Sequence, residues 1–214
     1  MVETRVADLR PVATELRKNI LRMIQTAGSG HPGASLSSAD LVTVLYYDEM
    51  RVDPVDPAWP ERDRVLLSKG HACPVLYAVR AMKGYFEMER LGTLRQLDGI
   101  LQGHPDMNKT PGVDYTTGSL GNGLSIGVGM ALAGKLDRRD YRTYVMLGCG
   151  EMQEGLVWEA LMAGAKYGLD NLCAIVDYNG LQLDGTNDEV MPLGQLTAKL
   201  AAFDWHVIEC DGHD

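Results

Sequence analysis

One stretch of this sequence constrains the fold more than any other. A β-rich run, Tyr144–Leu147, leads straight into Gly148-Cys149-Gly150, and a helical stretch, Glu154–Tyr167, follows. A second β-rich run, Leu172–Asp177, comes next. Strands joined through a helix at this spacing pair in parallel, because the helix returns the chain to the same end of the sheet. The expectation is an α/β fold: three layers around a central, mainly parallel sheet, with helices on both faces. Ligands of such sheets bind at the carboxyl ends of strands, beside helix N-termini. Glycines at that position let backbone N–H groups approach phosphate oxygens closely. The second run exits through Asp177-Tyr178-Asn179-Gly180, with Asn179 thirty positions after Cys149. Both strand ends can therefore present ligands side by side. Taken alone, the same residues would also serve as two tight strand exits with no ligand at all.

The remaining elements agree with this class. Val6–Ala27 carries apolar residues at helical spacing (Leu9, Ala13, Leu16, Ile20, Ile24) and stops at Gly28-Ser29-Gly30. A second helix is expected from Ser37 or Ser38 through Tyr47, with a serine as its N-cap. Residues 51–63 read as a loop and Arg64–Leu67 as a short strand. Gly70–Lys83 reads as helical, and Gly99–Ser119 as a long irregular loop of the kind that carries function. Gly121–Leu136 reads as a helix in which Gly123, Gly127, Gly129 and Gly134 trade helix propensity for close packing. His206–Glu209 is a third β-rich run.

Composition excludes several functions. The 214 residues suffice for one domain with a core, and the formal charge of −9 argues against nucleic acid or an anionic membrane as partner. A phosphate-bearing ligand must then be held by local donors. Cys73, Cys149, Cys173 and Cys210 are widely separated, without metal-type spacing, which fits a reducing cytoplasm. The N-terminus lacks a signal-peptide pattern, and no apolar run approaches the roughly 20 residues of a membrane span. No GxGxxG follows a β-rich run, and GxxxxGK[ST] does not occur: the glycines at 28, 30 and 33 follow a helical stretch, and Gly121-Asn122-Gly123 meets Gly127 one residue late, with no strand before it.

GCGEMQEG followed by DYNGLQLDG resembles the thiamine-diphosphate motif. SGHPG (29–33), SKGHA (68–72), GHPD (103–106), TTGSLGNG (116–123) and DGHD (211–214) are similar to transketolase segments, in transketolase order. The wording is closest to the N-terminal, diphosphate-binding chains of split bacterial transketolases. The resemblance covers nearly the whole chain. It implies thiamine diphosphate and Mg2+ or another divalent cation as cofactors. In the family an aspartate, an asparagine and a backbone carbonyl hold that cation. Here the asparagine falls on Asn179 and the carbonyl on Leu181, while Gly150 donates its N–H to the diphosphate. Gly118 and Leu120 resemble residues that meet the cofactor rings.

The same resemblance assigns roles to polar residues that are ordinary when taken singly. His71 meets the cofactor diphosphate and the substrate end, and His104 binds the C1 hydroxyl of the donor ketose. His31 helps polarise the reacting carbonyl or stabilise its alkoxide. Histidine suits this chemistry because it exchanges protons near neutral pH. Arg95 stands where the family carries an arginine for the substrate phosphate, and a guanidinium fork matches phosphate or sulfonate oxygens; it is equally readable as a surface arginine. Glu154 and Glu159 are either favourable charges at a helix N-terminus or, as in the family, residues of the subunit interface. His213 is read as structural, and His206 as a strand residue at the core or edge.

Cys149 occupies the place of the metal-binding aspartate. Three accounts follow: Asn179, Leu181, diphosphate and water suffice; a softer metal is used; or the chain is an impaired, non-catalytic paralogue. The first is favoured, because the histidines are all present. The family's pyrimidine-binding domain, which carries the activating glutamate, is not in this sequence, nor is a further strand and histidine beyond DGHD. The expectation is a diphosphate-binding domain over 1–214, cut short at its C-terminus. A partner chain would bring the pyrimidine-binding domain, giving an α2β2 enzyme that transfers a two-carbon ketol unit from a ketose to an aldose. A 2-oxoacid dehydrogenase component is the competing enzyme class.

Overall fold

The computed structural model describes residues 2–214, with side chains from Leu9 onward. The chain divides into two compact units, one formed by residues 63–69 and 119–211, the other by 1–62, 70–118 and 212–214.

The first of these units holds the sheet. Strands β1 (Arg64–Leu67), β2 (Thr143–Gly148) and β3 (Leu172–Asp177) lie in the order β1-β2-β3. All pair in parallel, with Arg64 opposite Thr143 and Gly148 opposite Asp177. Helix α5 (Asn122–Leu136) packs on all three strands, and α6 (Gly155–Lys166) packs on α5. Leu66, Val145, Leu147, Leu124, Ala131, Val157 and Leu161 fill the space between them. Close packing explains three of the four α5 glycines. A Cβ on Gly123 would stand 2.3 Å from Ser68 Oγ, one on Gly127 2.4 Å from Val145, and one on Gly134 2.9 Å from Tyr141. Gly129 faces open space and has no such reason. After β3 the chain makes the short hairpin β4 (Leu181–Gln182) and β5 (Gly185–Thr186), then α7 (Asn187–Val190) and α8 (Leu196–Ala202).

The other unit is helical. Helix α1 (Val2–Ala27) buries Ala13, Leu16, Ile20 and Met23 and packs on α3 (Ala39–Val44) and α4 (Cys73–Lys83). The irregular segment 99–119 buries Leu101 and Val113 and is also fixed by polar contacts. Arg62 Nη2 donates to Asp114 Oδ1 at 2.6 Å, and Arg80 Nη1 donates to Pro111 O at 3.2 Å. Thr110 Oγ1 donates to Ile100 O at 2.6 Å. Arg80 is 2% exposed and also donates to the Tyr46 hydroxyl.

Two expectations are corrected. The helix expected from Ser37 or Ser38 to Tyr47 is three pieces: α2 (Pro32–Ser37), α3, and a π-turn over Leu45–Glu49. Ser38 caps nothing with its side chain, since its hydroxyl donates back to Ala34 O. Serine back-bonding to the previous turn competes with capping. Residues 206–209 are not a strand, and His206 is exposed. A β-rich run becomes a strand only where a neighbour supplies ladder partners, and among the described residues none pairs with it. No described helix is long and apolar enough to cross a membrane.

Candidate active site

In the helical unit three loops bring histidines together. His31 precedes α2, and its carbonyl accepts from Ser35 Oγ at 2.9 Å. Ser35 Oγ also reaches Ala72 O at 3.4 Å, tying this turn to the segment that carries His71. The His31 and His71 rings meet edge to face, centroids 5.2 Å apart. His104 sits in a loop held by α4: Tyr77 Oη reaches Gln102 O at 3.0 Å and His104 O at 2.9 Å. Cys73 Sγ stands 3.2 Å from Gly103 O. Burial pushes the Cys73 thiol up to about 12, so it is a neutral donor.

Partial burial, then the charge of Arg95 and the neighbouring His31, hold His104 below the usual imidazole range. A neutral imidazole can both donate and accept a hydrogen bond. Arg95 lies at φ 60°, a backbone conformation uncommon outside glycine, with its N–H donating to Leu101 O. Its side chain runs alongside Gly103. The loops touch at backbone level. A Cβ on Gly70 would stand 2.8 Å from Gly118 N, and one on Gly118 3.1 Å from the His104 ring.

In the sheet unit the carboxyl ends of the strands carry a buried polar cluster. The register sets Gly148 opposite Asp177, and Cys149 N–H donates to Asp177 O at 3.2 Å. The turns after β2 and β3 are therefore adjacent, as the spacing predicts. Cys149 Sγ lies 3.5 Å from Asn179 Oδ1 and 3.8 Å from Leu181 O. Asn179 Oδ1 also accepts from Leu181 N–H at 3.0 Å. Gly150 begins a 3-10 turn, with Gln182 packed where its Cβ would be. Lys69, 2% exposed, runs beside Gly148 and forms an ion pair with Asp177. Burial lowers the Lys69 ammonium from the usual lysine range, opposed by Asp177.

Glu151 is the residue that sequence reasoning missed. It is 2% exposed and accepts from Ser68 Oγ, from Gly121 N–H at 2.8 Å and from Gly148 N–H at 3.1 Å. One carboxylate thus joins Ser68, Gly121 and the glycine turn. Burial raises its pKa, against those three donors. A signal existed: a charged residue set between the glycine turn and a buried helix must either face water or find donors.

The remaining expected residues are exposed, and Glu154 packs against Gly121. Leu120 is 38% exposed. Glu154 is the exposed N-cap of α6 without a side-chain cap bond, and Glu159 is exposed on α6. His213 Nδ1 stands 2.7 Å from Asp40 Oδ2, which also pairs with Arg17, so its structural reading agrees with its contacts.

The glycine turn at Gly148 and Gly150, with the buried Lys69 beside it, fits a diphosphate. The cation position does not fit magnesium, which takes oxygen ligands in a near-ideal octahedron. Here a thiol stands with an amide oxygen and a carbonyl. Both nearby carboxylates are engaged, Asp177 by Lys69 and Glu151 by its three donors.

Comparison with known proteins agrees with this geometry. The family described as "Transketolase, thiamine diphosphate binding domain" matches residues 10–214. The 6-deoxy-6-sulfo-D-fructose transketolase subunit SqwG of Clostridium sp. (strain MSTE9) is 48% identical over 207 residues, covering 97% of this chain and 75% of its own. One subunit of the apulose-4-phosphate transketolase of Phocaeicola vulgatus is 46% identical, covering 92% and 70%. The transketolase of Campylobacter jejuni superposes with a TM-score of 0.91 at 34% identity. That match covers 96% of this chain and 33% of the solved one, so the chain spans about a third of such full-length enzymes. With glycine turn, histidine loops and sequence in agreement, the chain belongs to the transketolase family, as its thiamine-diphosphate-binding domain.

Proposed function

We propose that this chain is the diphosphate-binding subunit of a two-chain transketolase that moves a two-carbon ketol unit from an anionic ketose to an aldose. The observation that carries the reading is the register of Gly148 against Asp177, which sets the glycine turn beside Asn179. Bound thiamine diphosphate supplies the nucleophilic carbon and accepts the electron pair released on C–C cleavage. The chain's own residues hold and orient. Gly150 donates its N–H to the diphosphate, and Asn179 and Leu181 O face the cation that the diphosphate requires. His71 contacts the diphosphate, and Gly118 and Leu120 flank the rings. His104, kept neutral by burial and by Arg95, binds the donor's C1 hydroxyl. His31 polarises the carbonyl, and Arg95 takes the substrate's phosphate or sulfonate as a planar fork.

The partner brings the pyrimidine-binding domain in an α2β2 assembly in the cytoplasm, with Glu154 and Glu159 at the interface. Two relatives named for a sulfo-sugar and a sugar phosphate support the anionic substrate class. The test is calorimetric titration of the chain plus partner with thiamine diphosphate, followed by ketol-transfer assays on sugar phosphates and sulfosugars. Saturable binding with transfer is expected. Binding without transfer on any anionic ketose would sink the substrate reading. Cys149 favours one second reading, a regulatory paralogue, for which the assembly forms and the cofactor does not bind.

A further inference from the structure

We infer that the cation seat of this chain is sulfur-containing and selects a thiophilic divalent cation, such as zinc or cobalt(II), over magnesium. The inference rests on the cofactor reading above and deepens it. Cys149 Sγ, Asn179 Oδ1 and Leu181 O converge at the carboxyl ends of β2 and β3, with sulfur 3.5 Å from the amide oxygen and 3.8 Å from the carbonyl. These are the distances of a thiol donating to two oxygens, so the three donor atoms lie within one hydrogen-bonded cluster.

Carboxylate replacement is closed off. Asp177 is paired with Lys69, and Glu151 is committed to Ser68, Gly121 N–H and Gly148 N–H. The sulfur of Cys149 is therefore the soft donor within reach. Ligation forms the metal–sulfur bond while the thiol proton leaves to solvent. Among the described residues no group of three His, Cys, Asp or Glu side chains gathers to hold a metal alone. Diphosphate oxygens would supply further ligands, so the cation should be retained only with the cofactor.

The experiment uses the chain assembled with its partner and saturated with thiamine diphosphate. Cobalt(II) or magnesium is added separately, with metal retention measured after gel filtration and the absorption spectrum recorded. Cofactor binding is followed independently by calorimetry. The expected result is cobalt retained at least about 10-fold more tightly than magnesium, with a near-ultraviolet sulfur-to-cobalt charge-transfer band. Cys149→Ser should abolish the band, and Cys149→Asp should abolish it and reverse the preference toward magnesium. Cofactor binding with equal retention of both metals and no band overturns the inference and leaves the cofactor reading standing. No cofactor binding with either metal, in the native chain and in Cys149→Asp alike, overturns both.

Discussion

The polar cluster at the strand ends and the histidine cluster of the helical unit are built on opposite principles. At the strand ends the charged side chains are buried and satisfied: Lys69 by Asp177, Glu151 by one hydroxyl and two backbone N–H groups. In the histidine cluster His31 and His104 are exposed, and the loop backbone is held by neighbours such as Tyr77, Cys73 and Ser35. A buried network rigidifies because each missing partner costs the full desolvation of the group left behind. An exposed imidazole costs little to present, and its position is set by whatever holds its backbone. The difference suits the division of labour proposed: a fixed anion such as diphosphate rewards rigidity, whereas a sugar that enters and leaves needs accessible donors.

The largest expected effect breaks the buried side. Glu151→Ala strands Ser68 Oγ and the N–H groups of Gly121 and Gly148, and should destabilise the chain by about 3–5 kcal/mol in urea unfolding. A loss under about 1 kcal/mol would refute the claim that this carboxylate organises the strand ends. The same residue has a pH signature. Burial raises its folded pKa above the reference of 4.5, so between those two values the native state holds a proton that the unfolded state has released. Its contribution to stability therefore falls as pH rises through that window. Glu151→Gln should remove this component from the pH profile of Tm.

A smaller effect tests whether the histidine loops are set by backbone contact. Gly70→Ala places a Cβ 2.8 Å from Gly118 N and 3.0 Å from Gly118 Cα. It should cost about 1–3 kcal/mol and shift the His104 resonances, because Gly118 packs on that ring. Unchanged stability and spectra would mean that the loops part freely.

Arg95→Gln sharpens the comparison from the open side. Stability should change by less than about 0.5 kcal/mol, since Arg95 is exposed. The His104 pKa, read by NMR titration, should rise toward 6.5 because a depressing positive charge is gone. A fall, or a large loss of stability, would show Arg95 to be a packing residue. The smallest effect is Gly129→Ala, which meets nothing within 4 Å on α5. A gain of about 0.5–1 kcal/mol is expected from helix propensity, and a loss would reveal packing that the isolated chain does not contain.

Local patterns carried most of the fold. β1 was legible to the residue in Arg64–Leu67, and β2, β3, α5 and α6 within one or two residues, because each combines strong periodicity with glycine punctuation. The run 206–209 misled because β propensity describes fitness for a sheet surface and says nothing about whether a partner strand is at hand. The Ser37-to-Tyr47 stretch misled because a serine's preference between capping and back-bonding depends on the preceding turn, which here is already helical.

What the sequence determined by itself was the order of elements, the parallel sheet, the family and which residues stand at its motif positions, including the cysteine at 149. Those follow from local periodicity and from words long enough to be specific. What only the tertiary structure decided was the partnership of those residues. It commits Asp177 to Lys69 and Glu151 to three donors 3 to 83 positions away. It also leaves the Cys149 sulfur facing Asn179 and Leu181 O. The reason is that a buried charge must be matched by whichever donors the folded chain brings within about 3 Å, and that choice is made by packing across distant segments, which no local pattern encodes.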